Sequence, residues 1–212
     1  MFKDIKQVMK DSVLYGIGNV AVKLVGFILI PLYTDAEYFS TADYGLMGLL
    51  EVTSQILIAV MGLSLYSGLI RWYWDAEFRD KQKSVFFTTL LFTILTSLGV
   101  GGLLWLNVDG LSTLLIQQEG YSIGEELPYI LQLLILTSML GAVVEVPQNL
   151  LRLQSKPIYY SATNIVRLFV TLILTIYFTI SLHRGVAGVY EAQFFGIIIQ
   201  LFMVLPLIIK NS

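Results

Sequence analysis

The chain has 212 residues, of which 56% are hydrophobic and 13% are charged, with a net charge of −2 and a mean hydropathy of +0.76. Soluble domains carry about 25% charged residues, so this composition predicts an integral membrane protein. The absence of cysteine excludes disulfides and thiolate sites, and the single histidine excludes a metal site built from several histidines.

Residues 1–11 predict a short amphipathic helix. The apolar residues Phe2, Ile5, Val8 and Met9 recur at helical spacing, and the charged residues lie elsewhere, as is typical of a helix on the membrane surface. A cleaved secretory signal is not predicted, because the apolar run that follows is too long and no small-x-small site comes after it.

Six apolar stretches follow, each long enough to cross a bilayer as a helix of about 17 to 25 residues. They lie near 12–34, 44–70, 84–106, 128–151, 158–181 and 187–209. Strands are not predicted, because the stretches lack alternation of apolar and polar residues. A backbone in lipid must also satisfy its hydrogen bonds within its own segment. The fold class predicted is an all-α integral membrane bundle of six helices over residues 12–212.

The basic residues that flank these stretches predict the orientation. One side of the membrane would hold Lys3, Lys6, Lys10, Arg71, Arg79, Lys81, Lys83, Arg152, Lys156 and Lys210. The loops on the other side, 35–43, 107–127 and 182–186, hold Arg184 as their one basic residue. The positive-inside rule assigns the basic side to the cytoplasm. We therefore expect a multi-pass protein of the cell's inner (plasma) membrane with both termini cytoplasmic.

Four ionisable residues lie deep within the stretches, namely Lys23, Glu51, Glu145 and Arg167. Such a residue costs about 2.5 to 3.5 kcal/mol on insertion scales, so it normally faces protein or water. Each has polar neighbours three or four residues away, such as Asn19 before Lys23, so each helix carries one polar face. This pattern predicts a bundle around a hydrated cleft.

The depths of these residues suggest two pairings. Depth is counted in residues from the middle of the loop that joins two helices, at a rise of 1.5 Å per residue. On this measure the depths of Lys23 and Glu51 differ by roughly 3 Å, and those of Glu145 and Arg167 by roughly 4 to 5 Å. Each pair would form a salt bridge inside the bundle. Two interpretations stay open: structural ion pairs that fix the helix packing, or charges that line a substrate pathway.

No catalytic constellation accompanies these charges, so an enzyme is not expected. Ser12, Ser54 and Ser138 have no histidine near them in sequence, and no group of acids and histidines is spaced like a metal site. No catalytic residue, metal ligand or cofactor is expected, and no nucleic acid partner.

Several short motifs resemble those of one transporter family. They are "YGIGNVAVKLVGFILIPLYT" (15–34), "DYG" (43–45), "RWY" (71–73), "LLR" (150–152) and "GVAGVYEAQ" (185–193). Together they span the chain and resemble the polysaccharide-biosynthesis oligosaccharide flippases, of the multidrug/oligosaccharidyl-lipid/polysaccharide exporter superfamily.

The resemblance implies a fold of two six-helix lobes that opens alternately to each membrane face. It implies a substrate consisting of a lipid-diphosphate-linked oligosaccharide, moved from the inner to the outer leaflet for surface polysaccharide biosynthesis. Lys23 and Arg167 match the basic cavity residues thought to meet the diphosphate, with Arg71 and Arg152 at the cytoplasmic mouth. The expected substrate pathway thus comprises Lys23, Arg167, Asn19, Glu51, Glu145, Arg71 and Arg152.

The chain departs from that family in length. Complete members have twelve or more spans, so the resemblance implies an N-terminal lobe, from a truncated frame or from half of a split or dimeric carrier. Its expected partners are the lipid bilayer, the lipid-linked oligosaccharide and a second six-helix lobe or second copy. The alternatives are a drug or cation antiporter of the same superfamily and a non-transporting membrane assembly protein.

Overall fold

The computed structural model describes Gly16 and residues 27–115 and 126–211, and every regular element in those residues is a helix. The elements are α1 (described over 27–33), α2 (Thr41–Gly62), α3 (Leu65–Tyr73), a 3₁₀ helix (Ala76–Lys81), α4 (Gln82–Leu106), α5 (Val108–Leu115), α6 (Leu127–Leu153), α7 (Pro157–Ile176), a π-helical turn (Tyr177–Ser181) and α8 (Gly185–Asn211). For the described residues the all-α prediction is confirmed.

Five helical segments are long and apolar enough to cross a membrane. They are Thr41–Gly62, Ala76–Leu106, Leu127–Leu153, Pro157–Ser181 and Gly185–Asn211. These segments correspond to five of the six predicted spans. The first predicted span, 12–34, is described only at Gly16 and over 27–34, and the predicted amphipathic helix at 1–11 lies outside the described residues. The count of six and the position of the termini stay predictions.

The prediction of one uninterrupted helix over 44–70 is wrong. Leu63 and Ser64 both adopt left-handed backbone angles, with φ of 44° and 51°, and they separate α2 from α3. Two of the carbonyls freed at the end of α2 find partners: the Leu63 amide donates to Val60 O at 3.3 Å, and the Thr96 hydroxyl to Met61 O at 2.6 Å. Hydropathy alone missed the break, because both halves are apolar.

Helix α2 begins in a capping box. The Asp43 amide donates to Ser40 Oγ at 3.1 Å, and the Ser40 amide donates to Asp43 Oδ2 at 2.9 Å. These two bonds satisfy backbone donors that the first turn leaves without helical partners. The "DYG" motif therefore has a local structural role at the start of α2.

Helix α6 is the centre of the bundle and packs against α2, α3, α4, α5, α7 and α8. Two apolar clusters lie toward its opposite ends. One joins its first half to α2 and α8 through residues such as Leu50, Ile130 and Tyr190. The other joins its second half to α3 and α4 through Leu150, Leu69 and Phe86. Because lipid is as apolar as these side chains, their close packing, rather than removal from water, stabilises the contacts in a membrane.

Glycines allow the closest helix approaches. A Cβ built on Gly101 of α4 would lie 2.3 Å from Met139 Sδ of α6, and one built on Gly196 of α8 would lie 2.1 Å from Thr171 Oγ1 of α7. Small residues at such crossings let backbones approach and increase van der Waals contact. The contact at Gly196 holds α7 and α8 together beside the polar residues described next.

Candidate functional site: a polar cleft between α2, α6, α7 and α8

Three adjoining cavities form a cleft along α2, α6 and α7. Their volumes are about 340, 290 and 250 Å³, and all three are lined by Ile58. The first and third also share Asn164 and Arg167, and the second and third share Glu145. We call this set of cavities the cleft. Its walls carry the polar faces that the sequence predicted for α2, α6 and α7.

Amide side chains join α6, α7 and α8 at one wall of the cleft. Arg167 of α7 donates to Gln200 Oε1 of α8 at 3.1 Å, and Gln200 Nε2 donates to Asn164 Oδ1 of α7 at 3.1 Å. Asn164 Nδ2 lies 3.5 Å from Gln148 Oε1 of α6, whose Nε2 donates to Thr163 Oγ1 at 2.8 Å. We call these five residues the amide network. Gln148, Thr163 and Gln200 are buried, so their bonds form away from water.

The spacing of residues along α7 builds this wall. Asn164, Arg167 and Thr171 lie three and four residues apart and therefore share one helical face. Gly196 of α8 sits against Thr171 and the Arg167 backbone, where a side chain would collide. The absence of a side chain at Gly196 brings Gln200, one turn further along α8, within reach of Arg167.

Glu51 lies on the opposite wall, which α2 provides. Its carboxylate is exposed in the first cavity and accepts a hydrogen bond from Gln55 Nε2 at 3.2 Å. Arg167 lines the same cavity. A hydrogen bond of 3.0 Å between Ser54 and Ser138 ties this wall to α6.

The predicted pairing of Glu145 with Arg167 is wrong. Both residues line the third cavity, but no ion pair joins them, and Arg167 hydrogen-bonds to Gln200 instead. Among the described residues, Arg152 of the same helix is the other cation that lines this cavity. The depth argument failed because it compared α6 with α7 alone, whereas the partner of Arg167 comes from α8.

Arg152 and Arg71 occupy different environments. Arg152 lines the third cavity, donates to Asn149 Oδ1 at 3.3 Å and to the Tyr160 hydroxyl, and stacks over the Tyr160 ring at 4.5 Å. Arg71 is exposed and stacks on Trp72 at 5.1 Å, and it lines none of the cleft's described cavities. The structure thus places Arg152, but not Arg71, at the cleft.

Two of the predicted site residues, Asn19 and Lys23, lie outside the described residues. The pairing of Lys23 with Glu51 therefore stays a prediction. Glu51, Glu145, Arg152 and Arg167 are the four predicted site residues that the structure brings to one cleft.

Sequence reasoning missed several polar residues of the cleft and its surroundings, among them Gln200, Gln193 and Thr137. Gln200 belongs to the amide network, Gln193 lines the first cavity, and so does Thr137, whose buried hydroxyl has no partner among the described residues. Gln200 stands in the run "GIIIQLFMVL" (196–205), where a lone amide among apolar residues is itself a signal of an interhelical bond. Thr137 gives no such signal, because threonine is common in membrane helices and often bonds to its own backbone.

A fourth cavity lies elsewhere and is apolar. It has a volume of about 390 Å³, lies between α3, the 3₁₀ helix and α4, and is lined by residues that include Trp72, Phe78 and Phe92. None of the predicted site residues that the structure describes lines it. Its size alone therefore does not make it the functional site.

Polar residues near the starts of α6 and α8 form a separate group. Arg184 forms an ion pair with Glu191, and the Tyr129 hydroxyl donates to Glu191 at 2.9 Å. The hydrogen bond to Glu191 raises the pKa of Arg184, which keeps that guanidinium charged. Glu191 therefore has local partners and lies apart from the cleft.

No known protein family, curated protein or solved structure matches this chain. The chemistry of the cleft must therefore be argued from its own residues. Its described residues offer amide and hydroxyl groups that both donate and accept, two guanidinium groups and two carboxylates.

Proposed function

We propose that this chain is one helical lobe of a flippase for a lipid-diphosphate-linked oligosaccharide in surface polysaccharide biosynthesis. The observation that carries the proposal is a polar cleft with guanidinium groups among helices long and apolar enough to cross a membrane. Polar groups at such depth are costly and commonly mark a substrate pathway. The motif resemblance to oligosaccharide flippases supports the same assignment.

The composition of the cleft fits the two polar parts of such a substrate. Amide and hydroxyl side chains such as Asn164, Gln193 and Thr171 match sugar hydroxyl groups, which also donate and accept. Arg167 and Arg152 supply planar guanidinium groups, which bind phosphate oxygens in pairs. Lys23 would add a third cation.

The proposed orientation has both termini in the cytoplasm and a second six-helix lobe, or a second copy, opposite α2. The exposed positions of Glu51 and Gln55 support this arrangement, because polar side chains at membrane depth need a polar partner surface or water. Reporter fusions at residues 80 and 115 test the orientation. An external signal at 80 would contradict it.

Glu51 favours a second candidate, a cation antiporter. Its exposed carboxylate lies in the first cavity, and cationic drugs favour acidic cavities. The two functions differ in which charge binds the ligand. Under the flippase proposal Arg167 is essential and Glu51 dispensable for binding, and under the antiporter proposal the roles reverse.

Binding of a fluorescent lipid-diphosphate oligosaccharide to the purified chain in nanodiscs tests the proposal. We expect Arg167→Gln to weaken binding at least about tenfold, which corresponds to about 1.4 kcal/mol, because the variant lacks the charge that meets the diphosphate. The matched control Arg184→Gln removes a guanidinium outside the cleft and should leave affinity unchanged. Flipping is then followed in proteoliposomes by adding an impermeant quencher.

Two results would contradict the proposal. One is equal affinity of wild type and Arg167→Gln for the labelled lipid. The other is binding of a lipophilic cation that Glu51→Gln abolishes, which would support the antiporter. Tight binding with no flipping, alone or with a second lobe, would indicate a non-transporting assembly role.

A further inference from the structure

The fourth cavity, between α3, the 3₁₀ helix and α4, opens on the outer surface of the bundle. Trp72 and Phe92, which line it, are 39% and 54% exposed. Its described lining shares no residue with the three cavities of the cleft. We call this cavity the groove. A ligand held there is independent of the substrate proposed for the cleft.

The packing of α3 against its neighbours fixes the walls of the groove. Trp72 packs edge-to-face against Phe78 of the 3₁₀ helix, with ring centroids 5.3 Å apart, and Gln82 Nε2 of α4 donates to Tyr73 O at 2.9 Å. Gly68 of α3 leaves the groove open between these walls, because a Cβ built there would have no neighbouring atom within 4 Å. The groove has a volume of about 390 Å³. Since packed proteins leave few gaps larger than a water molecule, a groove of this size in a membrane protein needs an occupant.

The lining of the groove changes from charged to apolar along the chain. Lys81 and Ser84 lie at the start of α4, and Phe92 lies deeper in the same helix. Ser84 and Phe92 are eight residues apart, about 12 Å along the helix axis, which is within the roughly 15 Å depth of one leaflet's hydrocarbon. Between them, the Thr89 hydroxyl already donates to Val85 O at 2.8 Å. This order of polarity matches a phospholipid from its headgroup to its acyl chain.

The charge at the mouth of the groove favours an anionic headgroup. Lys81 is the one charged residue among the described residues that line it, is exposed, and forms no ion pair within the part of the chain that the structure describes. The guanidinium of Arg71 lies 5.1 Å from the centre of the Trp72 ring, which brings a second cation to the wall of the groove. None of the three acids in 75–80 lines the groove. Basic pockets between membrane helices bind anionic lipid headgroups.

We propose that the groove binds one anionic phospholipid from the leaflet at the basic ends of the helices. Its phosphate meets Lys81, with Arg71 nearby, and one acyl chain lies along α4 past Gly68 toward Phe92. A zwitterionic lipid carries its own ammonium beside its phosphate, so it gains less from Lys81. The bound chain fills the gap that the packing of α3 and α4 leaves open.

Quenching of Trp72 fluorescence by brominated phospholipids tests the site without any transport substrate. The chain has three tryptophans, and Trp74→Phe and Trp105→Phe, at two exposed positions, leave Trp72 as the one fluorophore. The protein is reconstituted in nanodiscs of phosphatidylcholine and phosphatidylglycerol, with bromine on the acyl chains of one lipid at a time. We expect phosphatidylglycerol to occupy the site about fivefold more readily than phosphatidylcholine, which is the effect of one lysine on binding to an anionic lipid.

Two variants separate the headgroup contact from the chain contact. Lys81→Gln should remove the preference for phosphatidylglycerol, and Gly68→Leu should reduce quenching by either lipid, because the added side chain occupies the groove. The matched controls are Lys83→Gln and Gly99→Leu, at exposed positions that do not line the groove. Both controls should behave as the wild type does.

Three results would overturn the proposal. They are equal quenching by the two brominated lipids, a preference for phosphatidylglycerol that persists in Lys81→Gln, and quenching in Gly68→Leu equal to that of the wild type. The first result is also expected if a helix of a second protein lobe, rather than a lipid, fills the groove. If Gly68→Leu does not fold, Gly68→Ala replaces it and should reduce quenching by a smaller amount. Unchanged quenching in Gly68→Ala would then overturn the proposal.

Discussion

The two walls of the cleft place their charges in different ways. On the α7–α8 wall, Arg167 is half-buried and bonded into the amide network, which includes the fully buried Gln200. On the α2 wall, Glu51 is exposed and bonded only to Gln55, one turn along its own helix. The first charge is held between helices, and the second is held within one.

The difference shows how a membrane bundle can hold charge without an ion pair. Neutral amides can donate and accept at the same time, so a chain of them spreads the interaction of one guanidinium over three helices. An exposed carboxylate with one local bond contributes little to packing but is available to a ligand. Changes to the amide network should therefore affect stability more than changes to Glu51 or Gln55.

The largest stability effect is expected for Gln200→Leu. This substitution removes the acceptor of Arg167 and the donor to Asn164, and it leaves a guanidinium without its partner inside the bundle. We expect a loss of about 2 to 3 kcal/mol in the free energy of unfolding. Denaturation in mixed micelles measures this value. Gln55→Leu is the control on the α2 wall. An equal loss in the free energy of unfolding for this variant would show that the two walls do not differ in their contribution to stability.

A smaller loss is expected for Gly196→Ala. The added methyl group would lie within 2.1 Å of Thr171 Oγ1, so α7 and α8 would have to separate. Overpacking of this kind costs about 1 to 3 kcal/mol. The thermal midpoint of the purified protein reports the change. Gly102→Ala is the matched control, because no atom outside its own helix lies within 4 Å of the new Cβ, and it should leave stability unchanged or raise it.

The smallest stability effect is expected for Glu51→Gln. Glutamine preserves the size of the side chain, and the exposed site gains no unpaired buried group. We expect a change within about 0.5 kcal/mol. The same denaturation experiment measures it, with Gln200→Leu alongside. A loss larger than 1 kcal/mol would show that Glu51 stabilises the bundle, as an ion pair with Lys23 would require.

Five of the predicted spans matched helices of the structure because length and hydropathy are local properties. A run of about 20 apolar residues must be helical in lipid, whatever its neighbours are. The break at Leu63 and Ser64 was missed, since nothing in the hydropathy of either half signals it. The short helix α5 in the loop 107–127 was also missed, because its 8 residues are too few to form a membrane span.

Composition predicts the class of the protein, and a period of 3.6 residues assigns each side chain to a face of its helix. Which faces meet depends on how the helices pack. Glu145 and Arg167 line one cavity without pairing, and Gln200 is the partner of Arg167 because Gly196 brings α8 close to α7. Hydrogen bonding requires atoms within about 3 Å of each other. Spacing along one helix does not fix distances between helices, so the pairs could not be read from the sequence.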